Sequence, residues 1–101
     1  MDMKANLNEL MQQAQSMQSK MQDMQKEIQE MVVTGVAGGG LVKVFLNGRY
    51  NAVKRPEIAD SVLKDKALLG DLIAAAINDA VRKIESTTRE KMSGLTKGLN
   101  L

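Results

Sequence analysis

Apolar residues recur at alternating spacings of three and four along the first third of the chain. This heptad pattern predicts a long helix over roughly residues 5–30, about 39 Å in length. A compact domain of this size has a radius of gyration of about 13 Å, so the apolar seam needs a second helix, from this chain or from a second copy. The seam consists of Leu7, Leu10, Ala14, Met17, Met21, Met24, Ile28 and Met31.

Methionine dominates this seam, because seven of the eight methionines lie within residues 1–31. Methionine side chains are flexible and pack adaptably. The seam is therefore either a plastic binding surface or an ordinary contact between two helices. The heptad spacing favours the second interpretation, in which the methionines form a helix–helix core.

The middle of the chain has the period of β-strands. Residues 31–36 are rich in β-branched side chains and predict a first strand, and Gly38–Gly40 predicts a turn. Residues 41–46 predict a second strand, in which Val42, Val44 and Leu46 form one apolar face. Because the glycines precede a strand and no Gly-Lys-Ser/Thr follows them, they indicate a hairpin turn and not a phosphate-binding loop.

A second hairpin is predicted at Asn47-Gly48, where a type I′ turn needs positive φ at both central residues. A third strand is expected from about Arg49 to Lys54. Pro56 has no N–H to donate to a ladder and so marks the end or an edge of that strand.

The last third of the chain predicts a second long helix. A short turn over residues 60–63 precedes Asp65, a candidate N-cap, and Gly94 suits the position after the helix end. Residues 95–101 are expected to form a frayed tail. An apolar stripe at helical spacing comprises Leu68, Leu69, Leu72, Ile73, Ala76, Ile77, Ala80, Val81 and Ile84.

The predicted fold class is therefore α+β, with a long N-terminal helix, a three-stranded antiparallel β-meander and a long C-terminal helix in a single domain over residues 1–101. One helix cannot cover both faces of such a sheet. A second sheet from a partner subunit would cover the other face, so we expect a homodimer with joined sheets.

Composition excludes much catalytic chemistry. The chain has no cysteine and no histidine, so thiol nucleophiles and zinc sites of the usual kinds cannot form. Asn78-Asp79 is interpreted as a polar edge of the apolar stripe. We therefore expect no enzyme activity, no catalytic residue, no cofactor, no metal and no small-molecule substrate.

The apolar and charged residues predict where the protein is located and what it binds. No apolar run approaches the length of a membrane span or of a signal-peptide core, so we expect a cytoplasmic protein without a membrane partner. The net charge is +2 and the sequence pI is about 9.0, which allows a nucleic-acid partner. Phe45 and Tyr50 are the only aromatics, which argues against single-strand binding by base stacking and favours the backbone of double-stranded DNA.

Basic residues are the candidates for phosphate contact, because several modest contacts together give salt-sensitive affinity. One group clusters around the predicted sheet and hairpin, and comprises Lys43, Arg49, Lys54 and Arg55. The residues we select as candidate DNA-binding residues belong to the two long helices, and are Lys20, Lys26, Arg82, Lys83, Arg89 and Lys91.

Four segments together resemble the YbaB/EbfC family of nucleoid-associated proteins over nearly the whole chain. They are Leu-Met-Gln-Gln-Ala-Gln at residues 10–15, Val-Thr-Gly at 33–35, Gly-Gly-Leu-Val-Lys-Val at 39–44 with Asn47-Gly48, and the run Asp71 to Ala80. The resemblance implies a homodimer whose sheets join at the centre and whose long helices project as two arms, located in the nucleoid. Pro56 departs from the family pattern, at a position where a strand residue is expected.

Two functions are in contention. The leading hypothesis is a nucleoid-associated homodimer that binds double-stranded DNA through its phosphate backbone, bends or compacts it, and affects gene expression. The alternative is a non-enzymatic protein-interaction or chaperone-like helical module that uses the methionine-rich seam. The acidic balance of residues 1–31, three basic against five acidic residues, weighs against DNA contact along the first helix.

Overall fold

The computed structural model describes residues 3–98 and has the predicted α+β architecture. Two long helices flank a three-stranded antiparallel sheet of order β1-β2-β3. A turn covers Gly38–Gly40, and a short 3-10 turn covers Asp60–Val62. The helices and strands are α1 (Met3–Glu30), β1 (Val32–Ala37), β2 (Val42–Asn47), β3 (Glu57–Ile58) and α2 (Lys66–Gly98).

Strands β1 and β2 form the main part of the sheet, within one residue of their predicted bounds. They pair antiparallel from Val32 opposite Asn47 to Ala37 opposite Val42. The turn between them is the predicted glycine turn, and all three of its glycines have positive φ. The predicted apolar face of β2 is confirmed, because Val42, Val44 and Leu46 are buried and alternate with half-buried residues.

The third strand lies later in the chain than predicted. Residues 49–54 are not a strand: Ala52 forms a single bridge to Leu46, and the N–H of Val53 donates to the Phe45 carbonyl at 3.0 Å. The strand that pairs with β2 is Glu57–Ile58, opposite Val42 and Lys43. Pro56 therefore precedes the strand and does not end it.

The hairpin at Asn47-Gly48 is confirmed in place, but its turn is not type I′. The N–H of Tyr50 donates to the Asn47 carbonyl at 3.0 Å, and the N–H of Asn47 donates to the Asn51 carbonyl at 2.9 Å. Gly48 is not among the residues with positive φ, whereas Tyr50 has a φ of 63°. This is a three-residue loop in which Tyr50 takes the left-handed position, and the resulting bulge turns the chain away from a regular third strand.

Gly48 is needed for close approach and not for positive φ. A β-carbon at this position would overlap the carbonyl oxygen of Ile28 in the last turns of α1. The N–H of Gly48 also donates to the Met31 carbonyl at 3.1 Å. The hairpin is thereby fixed against the C-terminal end of α1.

Helix α2 begins as predicted and ends later. The N–H of Leu68 donates to Asp65 Oδ1 at 3.0 Å, which confirms Asp65 as the N-cap. The predicted short turn before it is also present. The expected end at Gly94 is wrong, because the helix continues to Gly98. Residues 95–98 of the predicted frayed tail are thus helical, and the rest of the tail lies outside the described residues.

The core lies where α2 crosses the sheet. A β-carbon on Gly35 of β1 would overlap the carbonyl oxygen of Ala76, and it would also crowd Ala80. Small residues on both elements therefore let the two backbones pack closely. The residues of this core are Ala37, Val42, Val44, Leu46, Ala76, Ala80 and Ile84.

Helix α1 extends well beyond the core and has no buried residue. The chain measures 77 × 22 × 14 Å and has a radius of gyration of 20.7 Å, so the expectation that α1 exceeds the domain width is confirmed. Near the end of α2, Met21 and Met24 of α1 line a small cavity of about 50 Å³ with Met92 and Leu95. About 27 Å of α1 continues past that contact.

Within a single chain, α2 does not cover most of the methionine seam, so its interpretation as a helix–helix core stays a prediction that needs a second copy. The side chains of Leu7 and Leu10 are 57% and 61% exposed, and Met3 and Met11 are exposed beside them. We name this surface, residues 3–17 of α1, the apolar arm.

The two glycine contacts lead to a stability prediction. Gly35→Ala and Gly48→Ala should each lower the free energy of unfolding by about 1–3 kcal/mol, because the added methyl group forces backbones apart. Gly70→Ala is the matched control, since a β-carbon there meets open space and alanine is the better helix former. It should raise stability by about 0.5–1 kcal/mol. Urea unfolding would measure all three, and equal effects at the three sites would refute the packing explanation.

Candidate nucleic-acid interface

The six sequence-predicted DNA-binding residues do not form one patch. Those on α1 are separated by six residues, and those on α2 are distributed around the helix. Arg82 and Arg89 are the pair that shares a face, since they are seven residues, or two turns, apart. Their α-carbons are therefore separated by about 10.5 Å along the helix axis.

Arg82 and Arg89 are both exposed to solvent. The Arg82 side chain is 70% exposed, and its nearest carboxylate oxygen is Asp79 Oδ1 at 3.9 Å. Such an exposed and distant ion pair contributes little and leaves the guanidinium available. This two-arginine face is therefore accessible to a phosphate backbone.

Lys83, another of the predicted DNA-binding residues, has intramolecular partners. Its Nζ atom donates to the Thr34 carbonyl at 2.8 Å and lies 3.0 Å from Asp79 Oδ2. The same Asp79 oxygen accepts a hydrogen bond from the Val36 N–H at 2.9 Å. Thr34 and Val36 lie on β1, the edge strand of the sheet, so Asp79 and Lys83 bind backbone groups that no neighbouring strand pairs with.

Asp79 is thus the residue whose role the sequence analysis missed. The hydrogen bond from the Val36 N–H, and then the hydrogen bond and charge of Lys83, lower the pKa of the Asp79 carboxyl below its ordinary value, and partial burial opposes them. Its spacing of four residues before Lys83 on a helix predicts an ion pair. The contact with β1, 43 residues away in the sequence, leaves no local signal.

Lys91 also has an intramolecular partner. Two residues after Arg89, it lies on nearly the opposite side of α2 and forms an ion pair with Glu27 of α1. This pair joins the two helices next to the methionine cavity. Lys91 is therefore better placed to hold the helices together than to contact DNA.

Lys26 lies beside the hairpin and Arg49, which is not among the six predicted DNA-binding residues. It lines an open cleft of about 510 Å³ together with Arg49, and Glu30 is the carboxylate in the lining. The Arg49 guanidinium donates to Gln29 Oε1 at 2.9 Å. Lys20 is exposed on α1 close to where the helix passes the end of α2.

Two features are absent from the described residues. Within residues 3–98, no group of three acidic side chains is placed to hold a metal ion. Neither helix of that range has an apolar stretch long enough to cross a membrane.

The fold and its exposed cations define a class of small, elongated α+β proteins that present basic side chains on an extended surface. The chain matches the model of the YbaB/EbfC DNA-binding family over residues 3–99, and it belongs to that family. Two relatives, the nucleoid-associated proteins of Legionella pneumophila strains Corby and Paris, are each 47% identical over 104 aligned positions, which cover 100% of this chain and 90% of theirs.

A solved structure has the same fold. The crystal structure of an uncharacterized protein from Helicobacter pylori superposes with a TM-score of 0.70 at 24% identity, and the match covers 95% of this chain and 98% of that one. At this identity the similarity concerns the fold. It therefore supports the arrangement of two long helices around a three-stranded sheet.

The Asp79 contacts predict how stability depends on pH. A carboxyl whose pKa is lowered by folding stabilises the protein above its unfolded-state pKa, and this contribution disappears as the pH falls through the folded-state pKa. Asp79→Asn should therefore destabilise the protein clearly at pH 7 and much less near pH 3. Urea unfolding at both values would measure this, with the exposed Asp71→Asn as the control. A destabilisation by Asp79→Asn that is the same at both pH values would contradict the role of the charge.

Proposed function

We propose that this protein binds double-stranded DNA as a homodimer, mainly through the phosphate backbone, and thereby bends or compacts the nucleoid and affects gene expression. Membership of a DNA-binding family sets the class of partner. The observation that carries the backbone mode is the exposed Arg82–Arg89 face of α2. Both guanidiniums can form charge-assisted hydrogen bonds to phosphate oxygens.

The composition of the surface suits positioning on DNA more than reading its sequence. Phosphate contacts fix the orientation of a protein on the duplex and release condensed counterions. The basic residues are distributed over several elements, and no element concentrates side chains suited to base edges. Sequence preference then arises mainly from the shape and deformability of the duplex.

A homodimer would cover the outer face of the sheet. Val32, Thr34 and Val36 of β1 face away from α2, and Phe45 of β2 lies opposite Thr34 on the same side. Val32 is 56% exposed in the single chain. A second sheet packed on this face would bury it, and two copies would double the number of phosphate contacts.

The place of action follows from the partner. The relatives are named nucleoid-associated proteins, and we assign this protein to the bacterial nucleoid within the cytoplasm. It acts by binding, without catalysis, cofactor or small-molecule substrate.

DNA binding can be tested with a fluorescent duplex of about 30 base pairs titrated across a salt series. Affinity should fall steeply with salt, with a slope of about −0.9 in log K against log salt per phosphate contacted. Arg82→Gln with Arg89→Gln should weaken binding and make the slope shallower by about two per chain. Lys64→Gln with Lys66→Gln removes the same charge elsewhere and serves as the control. Absence of binding by the unmodified protein at low salt would refute the proposal.

The dimer has its own test. Light scattering should give twice the chain mass of 11.0 kDa for the unmodified protein. Val32→Asp should shift the mass toward the monomer, because it places a charge in the proposed sheet interface. Leu63→Asp changes a residue of similar exposure, 57%, outside the sheet and should leave the dimer intact. A monomeric unmodified protein, or equal effects of the two substitutions, would contradict this interface.

The apolar arm supports a second candidate function, a protein-interaction or chaperone-like module. An exposed apolar stripe of four turns is unusual on a monomer and is typical of a docking surface. This function becomes the leading one if the titration above detects no DNA binding.

A further inference from the structure

The most basic part of the chain is neither long helix. Residues 32–58 carry four basic residues and one acidic residue. By comparison, α1 carries three basic and four acidic residues, and α2 carries six basic and four acidic. The density of positive charge is therefore highest around the sheet and its hairpin.

Most of this charge lies on one continuous exposed segment. All eight residues from Arg49 to Pro56 are exposed, because the chain here forms an extended loop in place of the expected strand. We name residues 49–56 the basic loop. Its cations are Arg49, Lys54 and Arg55.

The cations of the basic loop are less neutralised than several of those on the helices. Lys83 and Lys91 each pair with a carboxylate. By contrast, the Arg49 guanidinium binds the neutral amide of Gln29, so its positive charge is retained. Arg55 is exposed and forms no ion pair with any residue in the described range 3–98.

The Lys54 ammonium is held in place by two contacts, but its positive charge is only weakly neutralised. Its ammonium lies 4.0 Å from the centre of the Phe45 ring and 3.5 Å from a carboxylate oxygen of Glu57. The Lys54 and Glu57 side chains are more than half exposed, so the pair is weak in water. The ring contact holds the Lys54 ammonium over the outer face of the sheet, the face assigned above to the dimer, so Lys54 is not counted among the phosphate-contacting cations.

Hydrogen bonds hold the tip of the loop, which lowers the entropic cost of ordering it on binding. Asn47 Oδ1 accepts hydrogen bonds from the N–H groups of Arg49 and Asn51, at 2.9 and 3.2 Å. Gly48 is packed on the end of α1. Tyr50 is held in the left-handed region with its side chain 51% exposed, a strained conformation of the kind that clusters at functional sites.

We propose that the basic loop is a second phosphate-contacting surface for double-stranded DNA. The inference rests on the proposed function and adds a surface outside the two helices. Arg49 and Arg55 supply charge, and the Tyr50 hydroxyl and Asn51 amide supply neutral donors to phosphate oxygens. Tyr50 is the one aromatic residue of the loop, so the surface lacks a row of rings for successive bases and suits a duplex and not a single strand.

The decisive variant is Arg49→Gln with Arg55→Gln, compared with Lys64→Gln and Lys66→Gln, which remove the same charge elsewhere. In the 30-base-pair titration, we expect the loop variant to lose at least tenfold in affinity at low salt and about two units of slope per chain. The control pair should stay within about twofold of the unmodified protein. Arg49→Lys with Arg55→Lys keeps the charge and should retain most of the slope. Thermal unfolding of each variant checks that the fold is intact.

The remaining outcomes separate the two proposals. If the unmodified protein binds and the Arg82–Arg89 variant is weakened while the loop variant is not, the proposed function stands and the loop surface is overturned. Equal losses in the loop variant and the lysine control would also overturn it, because binding would then follow net charge alone. No binding by the unmodified protein would overturn both. Tighter binding of a single strand than of the duplex would overturn the assignment of the partner.

Discussion

The close approach of α2 to strand β1 determines the rest of the structure. Gly35 leaves no side chain between the strand and the helix backbone at Ala76, and Ala80 keeps the next turn equally close. At this short distance Asp79 and Lys83 reach the free edge of β1, at Val36 and Thr34. The contact both completes the core and satisfies an edge strand that would otherwise offer unpaired backbone groups to another chain. A larger residue at position 35 would weaken the packing and the edge contacts together.

Contacts within the fold determine which basic residues remain available to a ligand. A lysine or arginine is fully available to a phosphate only when it does not already bind another group of the protein. Lys83 binds the free edge of β1 at Thr34, and Lys91 joins the two helices through its ion pair with Glu27. Within residues 3–98, Arg89 and Arg55 form no ion pair, Arg82 has one at 3.9 Å with Asp79, and Arg49 binds the neutral amide of Gln29. The charge left available to a ligand therefore lies on one face of α2 and on the hairpin.

The sequence predicted the features that local chemistry determines. The heptad seam predicted the length of α1, and the alternation of Val42, Val44 and Leu46 predicted the buried face of β2. Asp65 was recognisable as a helix cap. The predictions that were wrong depend on residues far away in the sequence. Position 48 requires glycine because the carbonyl of Ile28, twenty positions earlier, leaves no room for a β-carbon. Tyr50 in the left-handed position displaces the third strand. The partners of Lys83 and Lys91 lie 49 and 64 residues away, so residue type alone could not separate structural cations from available ones.

For the apolar arm, too, the sequence predicts the helix but not its contacts. Heptad spacing correctly predicts a helix but does not say which surface covers it. Helix α2 contacts α1 around Met21, Met24 and Glu27, and α1 continues for about 27 Å beyond Met21. Residues 3–17 contain one lysine and one glutamate, so this part of the helix is nearly neutral and offers little to a phosphate backbone. The elongated shape thus separates two kinds of surface, with positive charge on α2 and the hairpin and apolar side chains on the arm. A protein that contacts DNA with the first can still contact another protein with the second.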